Sequence, residues 1–197
     1  MKRGIDGAGH STASRMAEAT EGVVPTTLHL GCGNKKVSGA LGIDLNPNSQ
    51  ADIIHDLNKC PWPLESERFE RVVCVHVLEH LDDMMRTMAE IYRVCKDGAI
   101  VEIATPHFSS VNSWDDPTHK HHFTLASFDY FHRDHPFIYE NMHFEVLERR
   151  LTFSRSFLKI PARLICAMYP RWYEKHFAFM LPARNLEFTL RVGKRRT

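Results

Sequence analysis

The sequence lacks the marks of a nucleic-acid-binding, membrane-spanning or disulfide-rich protein. Its 25 basic and 24 acidic residues give a net charge of +1, so no overall field attracts a polyanion. No apolar run approaches the roughly 18 residues of a spanning helix, and no apolar secretory segment is evident. The 5 cysteines are scattered and include no CxxC pair, which favours reduced packing residues. We therefore expect a cytoplasmic globular protein without strong nucleic-acid affinity.

The sequence also lacks the third glycine of a dinucleotide-binding fingerprint. An apolar run stops at Gly31-Cys32-Gly33, and Lys36 stands where the fingerprint requires glycine. The next apolar run stops at Asp44, only eleven residues after Gly33, whereas the acid of a dinucleotide site follows after about 20 residues. Eleven residues cannot hold a crossover helix and its turns, so we predict one helical turn at most.

These two strand ends suit a nucleoside that carries no phosphate. Glycines allow the backbone to approach a ligand closely, and an acid at the end of the second strand can bind both hydroxyls of a ribose. A pyrophosphate would lack the helix N-terminus that usually binds it. S-adenosylmethionine (SAM) has a cationic sulfonium and no phosphate, so it loses much less. Gly31, Cys32, Gly33 and Asp44 are therefore candidate SAM-binding residues.

The stretch LHLGCGNKK, followed by GIDLNP, resembles motif I and its successor in class I SAM-dependent methyltransferases, particularly the short type 11 group. The resemblance covers residues 26–107 well and the remainder loosely. It implies one α/β, Rossmann-like domain at 26–197, after an N-terminal arm or cap at 1–25. The implied sheet has seven mostly parallel strands in the order 3-2-1-4-5-7-6, with one antiparallel strand. A reduced first helix and a helical insertion before the last strand complete this fold.

The resemblance also implies further cofactor contacts. In this family an acid with an apolar neighbour after the third strand binds the adenine, and Asp56 and Leu57 match that position. The alternative is that Asp56 only caps a turn. The fourth strand continues into HVLEH, where His76 and Leu78 are expected to line the cofactor pocket. Leu45, beside the ribose-binding acid, completes the predicted set.

The remaining elements are predicted from apolar periodicity. Asp82-Asp83 is predicted to begin a helix and Asp97-Gly98 to end it. The strand at 69–75 contains a continuous β-branched run, so we expect it to be buried on both faces. Further predicted elements are a short helix at 124–133 and strands at 99–104, 144–153 and 186–192.

Histidines cluster in the long loop that follows the fifth predicted strand, where an acceptor is expected to bind. Three interpretations are open. In the first, one histidine is the general base, for which an unperturbed pKa of about 6.5 is suitable. In the second, histidines bind a divalent metal with Asp115 or Asp116. In the third, the histidines only support the loop. We favour His107 and His119 as bases, and because the spacing matches no standard zinc pattern we expect no metal. His80 is either a base or a hydrogen-bonded support.

Residues 155–183 form an appended aromatic segment in which arginines and lysines are interleaved. Such a segment could lie on a membrane surface or receive a lipid- or glycan-linked acceptor. Alternatively, it forms a helix pair that packs on the sheet or on a second subunit. Its three prolines break any long interfacial helix, which favours packing and includes a homodimer contact.

These observations together predict an enzyme that transfers a methyl group from SAM to an oxygen or nitrogen of a small or medium-sized acceptor. The product would be S-adenosylhomocysteine (SAH). Two other classes remain open: a non-catalytic SAM-binding protein, and an NAD- or nucleotide-sugar-binding enzyme. Positioning alone can supply much of the rate of an in-line methyl transfer, so a general base is not required.

Overall fold

The computed structural model describes residues 24–135 and 142–194. The arm predicted at 1–25 therefore lies almost entirely outside the described residues. Among the described residues, no helix has the length and apolar character that a membrane crossing requires.

Seven strands form one mixed sheet in the order β3-β2-β1-β4-β5-β7-β6. β1 to β5 run parallel to one another, whereas β7 runs antiparallel to both β5 and β6. The predicted strand order and the antiparallel last strand are therefore confirmed. The strands are β1 (Thr27–Leu30), β2 (Leu41–Asp44), β3 (Ile53–Ile54), β4 (Phe69–Val75), β5 (Cys95–Pro106), β6 (Phe144–Leu151) and β7 (Asn185–Val192).

In the described ranges three α-helices accompany the sheet: α1 (Met84–Val94), α2 (Ile160–Met168) and α3 (Pro170–His176). α2 and α3 lie between β6 and β7, as the predicted helical insertion requires. Single turns of 3-10 helix occur at Leu78–His80, Val111–Ser113, Ser127–Phe131 and Phe157–Lys159.

Helix α1 begins where the sequence predicts but ends earlier. The Asp83 carboxylate accepts a hydrogen bond from the Arg86 N–H at 3.0 Å, which caps the first turn. The predicted end at residues 97–98 is wrong, because Cys95 already pairs with Phe69 as the first residue of β5. Gly98 instead lies within β5 beside a shift in strand register, and its φ of +77° is a conformation that favours glycine.

The sheet buries one face much more completely than the other. On the inner face, Val72 of β4 and Val101 of β5 are fully buried. On the outer face, Arg71 of β4 forms an ion pair with Glu102 of β5 at 2.7 Å, and Val75 is 43% exposed. The prediction that β4 is buried on both faces is therefore wrong for the outer face at its two ends, because solvent reaches this part of the sheet.

The connection between β1 and β2 contains no helix in the part of the chain described, which confirms the predicted reduction. In place of a helix, the Lys36 side chain packs directly on Gly42. A β-carbon on Gly42 would lie only 2.6 Å from Lys36 Cδ. Lys36 Nζ then pairs with Asp52 at 2.7 Å, and Asp52 accepts the Gly42 N–H at 2.7 Å. Burial raises the pKa of Asp52, but these two partners outweigh it and hold that pKa below its usual value.

The cysteines are free, as predicted. Cys32, Cys74 and Cys95 are buried in the fold. Burial raises the pKa of the Cys95 thiol to about 12, so this side chain packs as a neutral group.

Candidate active site

The glycine bend that follows β1, Gly31-Cys32-Gly33, packs closely against Val77 at Gly31 and has open space beside Gly33. Gly31 has a φ of +59°, and a β-carbon there would lie 2.5 Å from Val77 Cγ2. Gly33 has a φ of +48° with nothing within 4 Å of its virtual β-carbon. Both positions favour glycine for conformational reasons. The space beside Gly33 is where a ligand could meet the backbone.

Asp44, the last residue of β2, lies directly beside this bend. Its Oδ2 accepts a hydrogen bond from the Gly33 N–H at 2.7 Å, and its Oδ1 accepts one from the Asn46 N–H at 2.8 Å. A carboxylate has about four acceptor positions, so each oxygen can accept a further hydrogen bond from a ligand hydroxyl. The neighbouring Leu45 side chain is 66% exposed at the same edge of the sheet.

Asp56 and Leu57 follow β3 in a turn. Asp56 Oδ1 accepts the Asn58 N–H at 3.1 Å, which is a turn-capping contact that also fixes the carboxylate. Leu57 is buried, and its carbonyl accepts a hydrogen bond from Trp62 Nε1 at 2.9 Å. The hydrogen bond to Asn58 therefore supports the interpretation of Asp56 as a turn cap. The other carboxylate oxygen, Oδ2, lies 3.9 Å from Lys59 Nζ.

His76 and Leu78 follow β4 but face different surroundings. His76 adopts a φ of +52°, and its half-exposed ring contacts Glu79 Oε1 through Nδ1 at 3.1 Å. Leu78 is 1% exposed and belongs to the hydrophobic core. The Leu78 side chain therefore packs in the core, and the contribution of this residue to the cofactor pocket stays a prediction that concerns its backbone.

His107 lies inside the fold instead of facing a pocket. Its ring is fully buried, Nδ1 accepts the Ser109 N–H at 3.3 Å, and Nε2 contacts Glu174 Oε1 at 3.1 Å. Glu174 Oε1 also accepts the Leu125 N–H at 2.7 Å. Both ring nitrogens are used in a buried network that ties the end of β5 to α3, so the role of His107 as a general base stays a prediction that this burial disfavours.

The histidine loop at 108–123 contains side chains in several different environments. His119 Nδ1 contacts the Ser113 carbonyl at 3.2 Å. His122 stacks on the exposed Trp114 ring with 3.8 Å between centroids. His121 Nε2 is buried and has no hydrogen-bond partner among the described residues. Of the two predicted bases, only His119 is thus both partly exposed and held in place.

The structure also brings His119 next to two residues of the 3-10 turn that follows β4. The His80 and His119 ring centroids lie 4.6 Å apart, and the Glu79 carbonyl accepts the Lys120 N–H at 2.7 Å, which holds the loop against the turn. One potential ligand atom from each of Glu79, His80 and His119 lies within 4.8 Å of the others. The sequence predicts a grouping of histidines with Asp115 or Asp116 and gives no signal for Glu79, because a glutamate between Leu78 and His80 is ordinary at the start of a helical turn.

The comparisons with known proteins agree with this arrangement. Residues 28–103 match the methyltransferase domain family. The matched segment contains the glycine bend, Asp44, Asp56, His76 and the whole of α1, so the resemblance to class I SAM-dependent methyltransferases is confirmed there. No curated protein matches the chain significantly.

Solved structures with the same fold extend the comparison to most of the chain. A SAM-dependent methyltransferase from Archaeoglobus fulgidus is 18% identical with a TM-score of 0.53, over 84% of this chain and 85% of that one. The [4+2]-cyclase SpnF is 19% identical with a TM-score of 0.53, over 86% and 75%. Phosphoethanolamine N-methyltransferase 2 from Haemonchus contortus, solved with SAM, is 16% identical with a TM-score of 0.50, over 86% and 48%. At these identities the likeness establishes a shared fold.

Proposed function

We propose that this protein is an enzyme that transfers a methyl group from SAM to an oxygen or nitrogen of an acceptor. The observation that carries the proposal is the contact between Asp44 and Gly33 at the open bend, inside the segment that matches the methyltransferase domain family. A carboxylate fixed beside an accessible glycine backbone is suited to a ribose and the methionine portion of SAM. The absence of a helix in the described β1–β2 connection disfavours a pyrophosphate, which is usually bound at a helix N-terminus.

In this proposal the cofactor lies across the carboxyl ends of β1, β2 and β3, where ligands bind in open α/β sheets. Gly31, Cys32 and Gly33 contribute backbone groups to the methionine portion, and Asp44 binds the ribose hydroxyls. The exposed Leu45 side chain covers an apolar surface of the nucleoside.

The adenine is proposed to lie against Asp56 and the Leu57 backbone. His76, which follows β4, closes the pocket on the side of the sulfonium. Leu78 contributes only its backbone, since its side chain is in the core.

His119 remains the candidate base, or a positioning residue for the acceptor. Methyl transfer requires the acceptor atom to lie opposite the departing thioether and to lose its proton during or after attack. His119 is on a loop that the Glu79 carbonyl holds at the end of β4, and β4 is the direct neighbour of β1. A ligand that begins at the glycine bend can therefore extend toward His119.

Ligand-dependent melting tests the cofactor against its rivals. The protein is heated with SAH, with NAD or with a nucleotide sugar, each at the same concentration. SAH should raise Tm by mass action and the other two should not. A rise with NAD or with the nucleotide sugar alone would overturn the proposal in favour of that enzyme class.

The fold is shared with a [4+2]-cyclase, so the reaction needs its own test. Incubating the protein with methyl-labelled SAM and pools of hydroxyl- and amine-containing acceptors should transfer label to an acceptor. If SAH raises Tm but no acceptor in a broad panel is labelled, the non-catalytic alternative is favoured.

We further propose that the aromatic surface of the appended segment binds a second copy of the chain. Large apolar side chains in this segment are exposed, including Phe157 at 75%, Met168 at 70% and Phe179 at 83%. An apolar surface of this kind on a monomer usually marks an interaction site. Light scattering should show a dimer that the double substitution Met168→Ser/Phe179→Ser dissociates, while Val111→Ser, at another exposed apolar residue, leaves it intact. A monomer that binds lipid vesicles would instead favour a lipid-linked acceptor.

A further inference from the structure

The buried carboxylate of Glu79 has an oxygen for which the described residues provide no partner. Glu79 is 1% exposed. Its Oε1 contacts His76 Nδ1 at 3.1 Å, whereas Oε2 is buried with no hydrogen bond. An unpaired buried carboxylate oxygen is costly, and it points to a ligand that carries positive charge or a donated proton.

Two imidazoles next to this carboxylate are held in the tautomer that binds metal ions. Thr118 Oγ1 donates its hydrogen to Asp116 at 2.6 Å, so at 2.8 Å it can only accept one from His80 Nδ1. His119 Nδ1 likewise donates to the Ser113 carbonyl at 3.2 Å. Each ring therefore carries a proton on Nδ1, and in its neutral form it presents the Nε2 lone pair to a metal ion. Outer hydrogen bonds of this kind orient metal-binding histidines.

From this arrangement we propose that Glu79, His80 and His119 form a divalent metal site. Candidate ligand atoms of the three residues lie within 4.8 Å of one another. Two ligands bound at about 2.1 Å to one tetrahedral ion lie about 3.4 Å apart, so binding requires each pair of ligand atoms to approach by at most about 1.4 Å. Asp116 does not serve as a ligand, but as the residue that fixes His80 through Thr118.

The ligand set selects the class of ion. Two imidazoles and one carboxylate are typical of catalytic zinc sites and of non-haem iron sites. Mg²⁺ and Ca²⁺ prefer oxygen ligands throughout. The site is therefore suited to Zn²⁺ or another first-row transition ion. Three protein ligands leave at least one coordination position open.

The location of the site gives the open position a role that rests on the proposed methyl transfer. Val77, which packs against Gly31 at the cofactor edge, is two residues before Glu79. The open position would take an oxygen of the acceptor, such as a hydroxyl group. That oxygen attacks the methyl carbon, the carbon–sulfur bond breaks with its electron pair going to sulfur, and the hydroxyl proton passes to water. With its Nε2 on the ion, His119 positions the acceptor through the metal and does not act as the base. The acceptor class is thus a compound with a metal-binding hydroxyl.

Calorimetric titration of the untagged, chelator-treated protein with Zn²⁺ tests the site. We expect one ion per chain, with affinity reduced at least about tenfold in Glu79→Gln and in His119→Ala. Thr118→Val, which removes only the support of His80, should weaken binding by about tenfold. His176→Ala, an exposed histidine on α3, is the matched control and should bind like the wild type. Equal affinity in all variants, or no Zn²⁺ binding by the wild type, would overturn the site.

A melting experiment separates loss of the site from loss of folding. Without metal, Glu79→Gln should melt at the same temperature as the wild type or higher, because the unpaired oxygen no longer carries charge. At a Zn²⁺ concentration near the wild-type Kd, the wild type and His176→Ala should gain more Tm than Glu79→Gln and His119→Ala. A fall in Tm of Glu79→Gln without metal, together with an unchanged Zn²⁺ response, would contradict the assignment.

The metal site and the methyltransferase proposal can fail independently. Zn²⁺ binding without any SAH response would leave the site standing and overturn the proposed function. An SAH response without Zn²⁺ binding would do the reverse.

Discussion

Replacing Asp44 by alanine is the sharpest test of the proposed cofactor pocket. Asp44 Oδ2 and Oδ1 already accept hydrogen bonds from Gly33 and Asn46 at 2.7 and 2.8 Å, and these bonds aim both oxygens at the edge where the ribose is placed. Asp44→Ala removes the acceptors of the two ribose hydroxyls and leaves the glycine bend itself in the sequence. We expect SAH binding to weaken strongly.

The expected size follows from the kind of hydrogen bond that is lost. Hydrogen bonds to a charged group contribute about 1.5–3 kcal/mol each, and a partly exposed site falls at the low end. Losing two such bonds should cost about 3 kcal/mol of binding, which is about a 150-fold increase in Kd. His119→Ala should change the Kd for SAH by less than about threefold, because His119 is assigned to the acceptor side.

Calorimetric titration with SAH measures both variants against the wild type. Urea unfolding without ligand serves as the control for folding, since Asp44→Ala also leaves the Gly33 and Asn46 N–H groups to water. If His119→Ala weakens SAH binding more than Asp44→Ala does, or if Asp44→Ala binds SAH like the wild type, the assignment of roles is refuted.

Two further predictions concern folding and pH. Gly31→Ala should lower the free energy of unfolding in urea by at least about 2 kcal/mol, because the new β-carbon would clash with Val77 and the residue has a positive φ. Gly33→Ala should lower it by only about 1 kcal/mol, since no atom lies within 4 Å of its β-carbon, but it should weaken SAH binding. Equal losses of stability in the two variants would contradict the geometry. Burial raises the pKa of Asp129, but the ion pairs with Arg149 and Arg171 outweigh it and hold that pKa below its usual value. The unfolded chain therefore takes up this proton at higher pH than the folded one, so the stability from the pair is present at neutral pH and lost as pH falls through the folded pKa. Urea unfolding at pH 7 and near about pH 3 should show a smaller acid-induced loss in Asp129→Asn than in the wild type, and an equal loss would contradict the pairing.

The part of the site that is local in sequence could be predicted from the sequence. Gly31, Gly33 and Asp44 lie within one strand–bend–strand unit, so their spacing alone limits how they can meet. The missing helix between β1 and β2 was predictable for the same reason. Lys36 and Asp52, which stabilise the helix-free connection, gave no such signal because each is an ordinary charged residue in a polar stretch.

The contacts that depend on distant parts of the chain could not be predicted. His107 is buried because Glu174, 67 residues later, reaches its Nε2. The meeting of Glu79 with His119 depends on a backbone contact between the loop and the turn after β4. The early end of α1 is likewise decided by pairing of Cys95 with Phe69 in the sheet, where a tertiary contact outweighs the local signal of a glycine.

The helix-free connection makes the geometry of the glycine bend depend on dissolved salt. Lys36 and Asp52 are 24% and 41% exposed, so ions in the solvent can weaken their attraction. In a fold with a full crossover helix, buried packing would hold the same bend independently of the buffer. Here the affinity for the nucleoside portion of the proposed cofactor should decline as ionic strength rises, although this cofactor carries no phosphate.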